Sequence, residues 1–362
     1  MKQGFVVAVV GATGAVGLEL VRILEQRLFP VGELRLFASD RSAGKITTFG
    51  ATAPWRSANT NHKTPHGPMK LRIRKVEPEC FLGVDIAFFA AGGSVSRAWA
   101  PVAVRNGAVV IDKSSTFRMD KTVPLVVPEV NPDAIAKHKG IIASPNCSTI
   151  PLVMVLKPLN DYAKVKRVVV STYQSVSGAG LKAVAEMEEE AKALLAGRRY
   201  QRKIFPHQIA FNVIPQIPQS NAFCPSGTSF DGYTDEEVKM IQETQKILGD
   251  SSIKVSPTCV RVPVYRGHAE SVNIEFARPV SPAKARALLS KAPGIRVVDD
   301  PAKQAYPMPV DVDGKDEVLV GRIRVDRTVK NGLNLWLAGE NLRKGAALNA
   351  VQIAERVIQD YK

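Results

Sequence analysis

Residues 5–17 read Phe5-Val-Val-Ala-Val-Val10 and then Gly11-Ala-Thr-Gly14-Ala-Val-Gly17. A short apolar run rich in β-branched residues is the signature of a buried parallel strand. An amphipathic stretch through about Leu28 follows, so the segment reads strand, glycine turn, helix. Glycines let the backbone turn sharply and approach a pyrophosphate, which then lies on the helix N-terminus. The spacing here is GxxGxxG, a departure from GxGxxG, and the flanking strand and helix are what point to a dinucleotide. The candidate contacts are Gly11, Ala12, Thr13, Gly14, Ala15 and Val16.

Working outward, a second strand at Glu33–Ala38 ends in Ser39-Asp40-Arg41-Ser42. In a dinucleotide fold this is where the adenosine ribose is read. Asp40 suits a 2′-hydroxyl and hence NAD, whereas Ser39, Arg41 and Ser42 suit a 2′-phosphate and hence NADP. An Arg with two hydroxyls favours the phosphate; Asp40 leaves NAD use open. Strands at Asp85–Ala90 and Ala108–Asp112 flank a helix over Val95–Asn106. Alternating strands and helices imply a parallel sheet covered on both faces. Ala91-Gly92-Gly93-Ser94 leaves a strand and opens a helix, which makes Gly93 a second backbone contact for a cofactor.

Ser144-Pro-Asn-Cys147-Ser-Thr-Ile-Pro151 lies between a short strand, Gly140–Ala143, and a helix over Ile150–Leu156 that Pro158 should close. Ser148 and Thr149 are good capping residues, and Pro151 suits the first turn. Cys147 therefore stands at a helix N-terminus, whose dipole favours the nucleophilic thiolate; the residues alone leave a buried, inert cysteine as the alternative.

The remaining pattern changes character. A β run at Val165–Ser175 precedes Ser177-Gly178-Ala179-Gly180 and a charged helix through Leu195. Pro-rich loops (Pro206–Pro225), a helix at Asp235–Leu248 and β runs at Val255–Val264, Ser271–Phe276, Val318–Val325 and Leu333–Ala338 follow. Long strands with interspersed helices imply a mixed or antiparallel sheet in a second, α+β domain. The segment Leu342–Tyr361 reads as a helix that packs back on the first domain.

Composition sets the outer limits. The 362 residues suffice for two cores, and the start, Met1-Lys2-Gln3-Gly4, has no signal-peptide pattern. Four cysteines (Cys80, Cys147, Cys224, Cys259) stand far apart with no CxxC, so neither a disulfide framework nor a zinc site is expected, and the cytoplasm is the natural compartment. Pro65 spoils His62 and His66 as a helical metal pair, and Asn59–Met69 reads as a loop between β segments. The net charge of +15 is spread along the chain without aromatic interleaving. It fits attraction of anionic small molecules better than nucleic-acid binding.

The motifs VVGATGAVG (9–17), ASDRSAGK (38–45), DKSSTFRM (112–119), VPLVVPEVN (123–131) and SPNCSTI (144–150) occur in this order. STYQSVSGAG (171–180), YTDEEVKM (233–240), CVRVPVYRGHAES (259–271), VGRIRVD (320–326) and KGAALNAVQIAE (344–355) continue the series. Taken together, these motifs resemble the bacterial type of the aspartate-β-semialdehyde dehydrogenase family over nearly the whole chain. That resemblance implies an α/β, Rossmann-like NADP-binding domain at 1–146, completed by 342–362, and an α+β catalytic and dimerisation domain at 147–341. It also implies NADPH-dependent reduction of β-aspartyl phosphate to the semialdehyde, in a homodimer or homotetramer. Cys147 matches the nucleophile that forms a thioester, Gln174 the residue that positions the acyl group, and His268 the general acid/base. Arg261 matches the clamp on the substrate carboxylate, Glu236 the partner of the α-ammonium, and Arg118 and Lys239 the cations for phosphate. Asn146 is implied in anion binding beside the nucleophile, and Ser177, Gly178 and Asn341 at the cofactor.

Taken alone, the same residues look plainer: Gln174 as polar surface, His268 as a loop residue, Glu236 and Lys239 as a solvated helix face. Two departures accompany the resemblance: Asp40 stands where many relatives have a small residue, and the segment from Ala51 to Met69 is longer than in close relatives. N-acetyl-γ-glutamyl-phosphate reductase is the alternative with the same chemistry; Glu236 argues against it, since an acetylated nitrogen has no charge to pair.

Overall fold

A computed structural model of the chain describes residues 4–49, 69–217, 223–224 and 227–361. The chain divides into two units, Met1–Pro145 with Ala346–Lys362, and Asn146–Gly345. Asn146 and residues 342–345 thus belong to the second unit. Residues 50–68, which contain the His62/His66 pair, lie outside the described residues, as does part of Pro206–Pro225.

In the first unit the chain runs β1 (Phe5–Val10), α1 (Ala15–Gln26), β2 (Val31–Ala38), β3 (Ile46–Phe49), β4 (Met69–Arg72), β5 (Arg74–Lys75), β6 (Ile86–Phe89), α2 (Gly93–Arg105), β7 (Val109–Asp112) and β8 (Ile141–Ala143). Six strands form a sheet in the order β5-β2-β1-β6-β7-β8, with every pair parallel. Alternation along β1 divides the core. Val7 and Val9 join a layer with Leu20, Ile23 and Leu24 of α1, while Ala8 and Val10 join Phe81, Phe89, Ala100 and Ala103 on the α2 side. Both faces are covered, which is why these strands read as continuous apolar runs. The loop expected between β segments is flanked by them: β3 and β4 pair antiparallel.

The second unit holds α3 (Thr149–Ala163), β9 (Val165–Gln174), α4 (Leu181–Leu195), α5 (Asp235–Leu248), β10 (Lys254–Arg261), β11 (His268–Phe276), α6 (Pro282–Leu289), β12 (Ile295–Val297), α7 (Pro309–Val312), β13 (Val318–Asp326) and β14 (Gly332–Gly339). Its sheet order is β10-β9-β11-β14-β13-β12. The outer pairs β10/β9 and β12/β13 are parallel and the inner pairs antiparallel. Helices α3, α5 and α6 pack along it. On β9, Val168, Val170, Thr172 and Gln174 are buried, while Arg167, Val169, Ser171 and Tyr173 on the other face are half-buried or exposed. Two buried carboxylates of α4 organise the Pro-rich loop. Glu186 accepts from the amides of Lys203, Ile204 and Phe205, and Glu190 from those of Ile209 and Ala210. That loop then bridges to β10 through Ile214 and Arg261.

The chain passes out of the second unit within a π-helical turn (Arg343–Ala347) and returns to the first as α8 (Leu348–Val357) and a closing 3-10 turn (Ile358–Tyr361). Val351, Ile353, Ala354 and Val357 complete the α1 layer.

Three local expectations change. Pro158 does not close its helix: α3 runs on to Ala163. A proline in a helix interior loses one hydrogen bond and crowds the preceding turn. Here Leu152, Val153, Leu156, Leu159 and Ala163 are all fully buried, and that packing on both sides holds the helix through it. Ser148 occupies the N-cap position without capping through its side chain. Strand β11 starts at His268, three residues earlier than Ser271, so His268 is a strand residue and not a loop residue.

Candidate active site

The turn before α3 gathers side chains from distant parts of the second unit. Cys147 Sγ lies 3.4 Å from His268 Nε2. The π-helical turn packs closely on the same residue: a Cβ on Gly345 would stand 3.1 Å from the Cβ of Cys147, tighter than an ordinary contact. Asn146 is held at three points. Its amide N–H donates to Glu243 at 2.7 Å, its side-chain oxygen accepts from Ser148 N–H at 2.8 Å, and its Nδ2 donates to Glu236 at 3.0 Å.

Gln174 and Arg261 are register partners at the ends of β9 and β10. Gln174 Nε2 reaches Ser148 Oγ at 2.7 Å and Glu236 Oε1 at 3.3 Å. Arg261 is buried, with NH1 donating to the Ser175 carbonyl at 2.7 Å and with no hydrogen-bond partner for Nε. Gly178 walls this corner: a Cβ there would come within 2.9 Å of Arg261 NH1 and 3.4 Å of His268 Nε2.

Thr234 caps α5 with a capping box through Glu237, which sends Glu236 inward. Burial alone would raise the Glu236 carboxyl, but Lys239 at 3.3 Å, Asn146, Arg261 and Gln174 outweigh it and hold the group below its ordinary value. Glu236 is therefore a buried anion beside a buried cation. Burial, then the charge of Arg261, holds His268 well below the usual imidazole value. Cys259 lies deeper on β10; burial, with Glu236 adding to it, pushes its thiol far up and leaves it inert. In the same row, across Thr172 of β9, Glu270 is buried with neither oxygen bonded, and burial drives its carboxyl well above the ordinary value.

Asn341 follows β14 and is buried. Its Oδ1 accepts from Gly267 N–H at 2.9 Å and Ser175 Oγ at 3.1 Å, and its Nδ2 donates to Ser177 Oγ at 2.9 Å. Asn341 and Ser177 thus belong to the frame around His268, and Gly178 to the Arg261 corner.

The first unit presents a different arrangement. Gly11 has φ +90°, and a Cβ would meet the Ala90 carbonyl at 2.6 Å; a Cβ on Gly17 would meet the Gly11 carbonyl at 2.2 Å. Gly14 caps α1 with no side-chain bond, so the first amides of the helix are open to an outside acceptor. Thr13 Oγ1 is 3.5 Å from Ser42 Oγ, which joins the glycine turn to the loop after β2. Asp40 is paired with Lys75 of β5 at 3.1 Å, while Ser39 and Arg41 are exposed. Gly93 starts α2, and its carbonyl accepts from Thr116 Oγ1 at 2.9 Å. Arg118 is buried in this unit and donates to the Lys113 carbonyl at 2.7 Å.

The semialdehyde dehydrogenase NAD-binding domain profile matches residues 6–138, and the semialdehyde dehydrogenase dimerisation domain profile matches 156–344. The aspartate-semialdehyde dehydrogenase of Aquifex aeolicus is 50% identical over 99% of both chains, and that of Bacillus subtilis 47% identical over 98% of both. The chain belongs to the aspartate-semialdehyde dehydrogenase family. Among solved structures, aspartate semialdehyde dehydrogenase II of Vibrio cholerae complexed with ASA is 46% identical, with a TM-score of 0.89 and full coverage of both chains. The Candida albicans aspartate semialdehyde dehydrogenase with NADP is 28% identical, with a TM-score of 0.71 over 98% of both. The chain thus joins a Rossmann-like NAD-binding domain to a semialdehyde dehydrogenase dimerisation domain.

Several residues of this site escaped the sequence reading: Ser148, Ser175, Glu243 and Gly345. Glu243 had a signal. Met240 and Ile247 lie four residues beyond Glu236 and Glu243 on α5, so their apolar side chains mark the inner face that carries both glutamates.

Proposed function

We propose that the chain reduces L-aspartyl 4-phosphate to L-aspartate 4-semialdehyde with NADPH, through a thioester on Cys147. The supporting observation is the cluster around the Cys147 sulfur, with His268 at 3.4 Å and a buried guanidinium and buried carboxylate beside it. Cys147 attacks the acyl carbon and expels phosphate, and a thioester accepts hydride far better than an oxygen ester would. Gln174 holds the acyl group at the sulfur. The Nε and outer nitrogens of Arg261 suit a bidentate carboxylate, and Glu236 suits the α-ammonium. Asn146 sets the direction of Glu236. Lys239 and Arg118 are the cations for phosphate.

NADP fits the first unit: the glycine turn has no room for a Cβ, the α1 amides are uncapped, and hydroxyls converge at Thr13 and Ser42. Bound there, it supplies or accepts the hydride. Gly11 to Val16 and Gly93 would approach it by backbone, and Ser39, Arg41 and Ser42 would take the 2′-phosphate. Lys75 answers the charge of Asp40, which favours NADP over NAD.

The same reading makes the chain a homodimer at least, through the second unit, whose matching family model is a dimerisation domain. There the ring centroids of Tyr173 and Trp336 lie 5.1 Å apart, and Tyr173 is exposed. Sedimentation as a monomer at micromolar concentration would remove that part. No helix among the described residues is long and apolar enough to cross a membrane. Initial rates with L-aspartate semialdehyde and phosphate, with NADP and NAD in parallel, test the activity: phosphate-dependent reduction of NADP is expected, and its absence would reject the proposal.

A further inference from the structure

The turn that carries Cys147 is gripped from α5 at two places. Glu236 and Glu243 lie seven residues apart on one face of that helix, and both are buried. Both reach the same residue. Glu236 Oε1 accepts from Asn146 Nδ2 at 3.0 Å, and Glu243 Oε2 accepts from the Asn146 main-chain N–H at 2.7 Å. Asn146 in turn supplies the cap that α3 needs. Ser148, at the N-cap position, offers no side-chain bond. Asn146 Oδ1 instead accepts from the Ser148 N–H at 2.8 Å, and the Asn146 carbonyl accepts from the Ile150 N–H at 3.1 Å. A side-chain oxygen on the amide two residues on, with the carbonyl taking the first intrahelical bond, is how a capping residue fixes the entry of the chain into a helix. Cys147 lies between the cap and the amide it holds, so its backbone goes where Asn146 goes. Around it stand the close approach of Gly345 and, at 3.4 Å from Sγ, His268 Nε2.

The two carboxylates are not equivalent. Glu236 also accepts from Gln174 Nε2 and Lys239 Nζ, each at 3.3 Å, and in the reading above it receives the α-ammonium of the substrate. Its bonds are shared with groups whose partners change when substrate enters. A main-chain N–H, by contrast, cannot change partner without moving the peptide, and a hydrogen bond to a carboxylate is roughly twice as strong as a neutral one. We propose that Glu243 is the positioning residue of the nucleophile. By holding the Asn146 N–H it fixes the turn that aims the Cys147 sulfur at the acyl carbon, and it keeps that aim while Glu236 is engaged by substrate. This rests on the assignment of Cys147 as the nucleophile. The effect of Glu243 passes through Asn146, and what it requires is the reach of an acceptor oxygen.

Two substitutions in the full chain separate reach from charge. Glu243→Asp keeps the charge and shortens the arm by one methylene, whereas Glu243→Gln keeps the arm and an acceptor oxygen and loses the charge. With L-aspartate semialdehyde, phosphate and NADP, Glu243→Asp should lower kcat by about 100-fold, as a nucleophile about 1 Å out of place does, with KM for the semialdehyde within about twofold of the parent. Glu243→Gln should restore kcat to within about tenfold of the parent. Parental kcat in Glu243→Asp, or a loss that falls on KM instead, would overturn the proposal. So would a Glu243→Gln enzyme as slow as Glu243→Asp, since charge and not reach would then decide. Glu243→Gln preserves the shape of the core, so that last outcome can be read even if the shorter side chain fails to fold. The free chain gives a second measurement. Iodoacetamide alkylation, mapped to the peptide that contains Cys147, should slow about tenfold in Glu243→Asp and stay within about threefold of the parent in Glu243→Gln. An unchanged rate in Glu243→Asp would equally overturn it. Alkylation needs no substrate, so its failure is separable from failure of the semialdehyde assay.

Discussion

The glycine turn of the first unit and the Cys147 cluster of the second are built in opposite ways. At the turn, backbone does the work: glycines without room for a Cβ, uncapped amides and exposed Ser39 and Arg41. At the cluster, buried side chains do it, each held by another: Asn146 by Glu243, Glu236 by Asn146, Gln174 by Ser148, and Ser175 by Asn341. The difference teaches where each region is fragile. A backbone site tolerates changes of side chain but not the addition of one. A buried polar network tolerates little, because each lost partner strands another polar group.

The hardest test of this contrast is Cys147→Ser. Turnover should fall by at least about 10⁴-fold, while NADPH affinity and melting temperature stay near those of the parent. Loss of cofactor binding in a fluorescence titration would show that the two regions are not independent. Gly17→Ala is the mirror experiment. With a Cβ 2.2 Å from the Gly11 carbonyl, NADPH affinity should fall by about 100-fold, while alkylation of Cys147 by iodoacetamide keeps its rate. Lys75→Met sharpens the picture of the exposed loop. NADP affinity should drop about tenfold relative to NAD as Asp40 loses its partner. Asp40→Asn in the same chain should restore most of the ratio, and no recovery would mean that Lys75 acts directly on the phosphate.

The smallest effect concerns Glu270, a buried carboxyl with neither oxygen bonded. Its folded value lies well above the unfolded carboxylate value of about 4.3. The acid's contribution to stability is therefore fully present below that pH and is lost as pH rises through the folded value. Glu270→Gln keeps the shape and removes the loss. Melting at about pH 8 should rise by a few degrees, with the gain vanishing near about pH 4. An equal gain at both would exclude ionisation as its cause.

The same contrast explains what the amino-acid order reveals. Strand β1, the glycine turn and α1 are contiguous, so period and glycine spacing expose them directly. The second unit hides its site in long-range contacts. Cys147 meets His268 from 121 residues away, and Asn146 meets Glu236 from 90. Read locally, His268 belongs to a turn, yet register with β14 makes it the first residue of β11. Glu236 looks solvated until the apolar residues of α5 show which face is inside. Pro158 fails as a stop because packing around α3 outweighs one lost hydrogen bond. For the cluster, the order of family motifs carried what periodicity alone lacked.

The covalent adduct on Cys147 is the point on which this account stands. Protein mixed with L-aspartate semialdehyde and NADP in the absence of phosphate, then acid-quenched, should carry one aspartyl group on the peptide that contains Cys147, and Cys147→Ser protein should carry none. An unmodified Cys147 peptide during turnover, or the aspartyl group on another side chain, would contradict it.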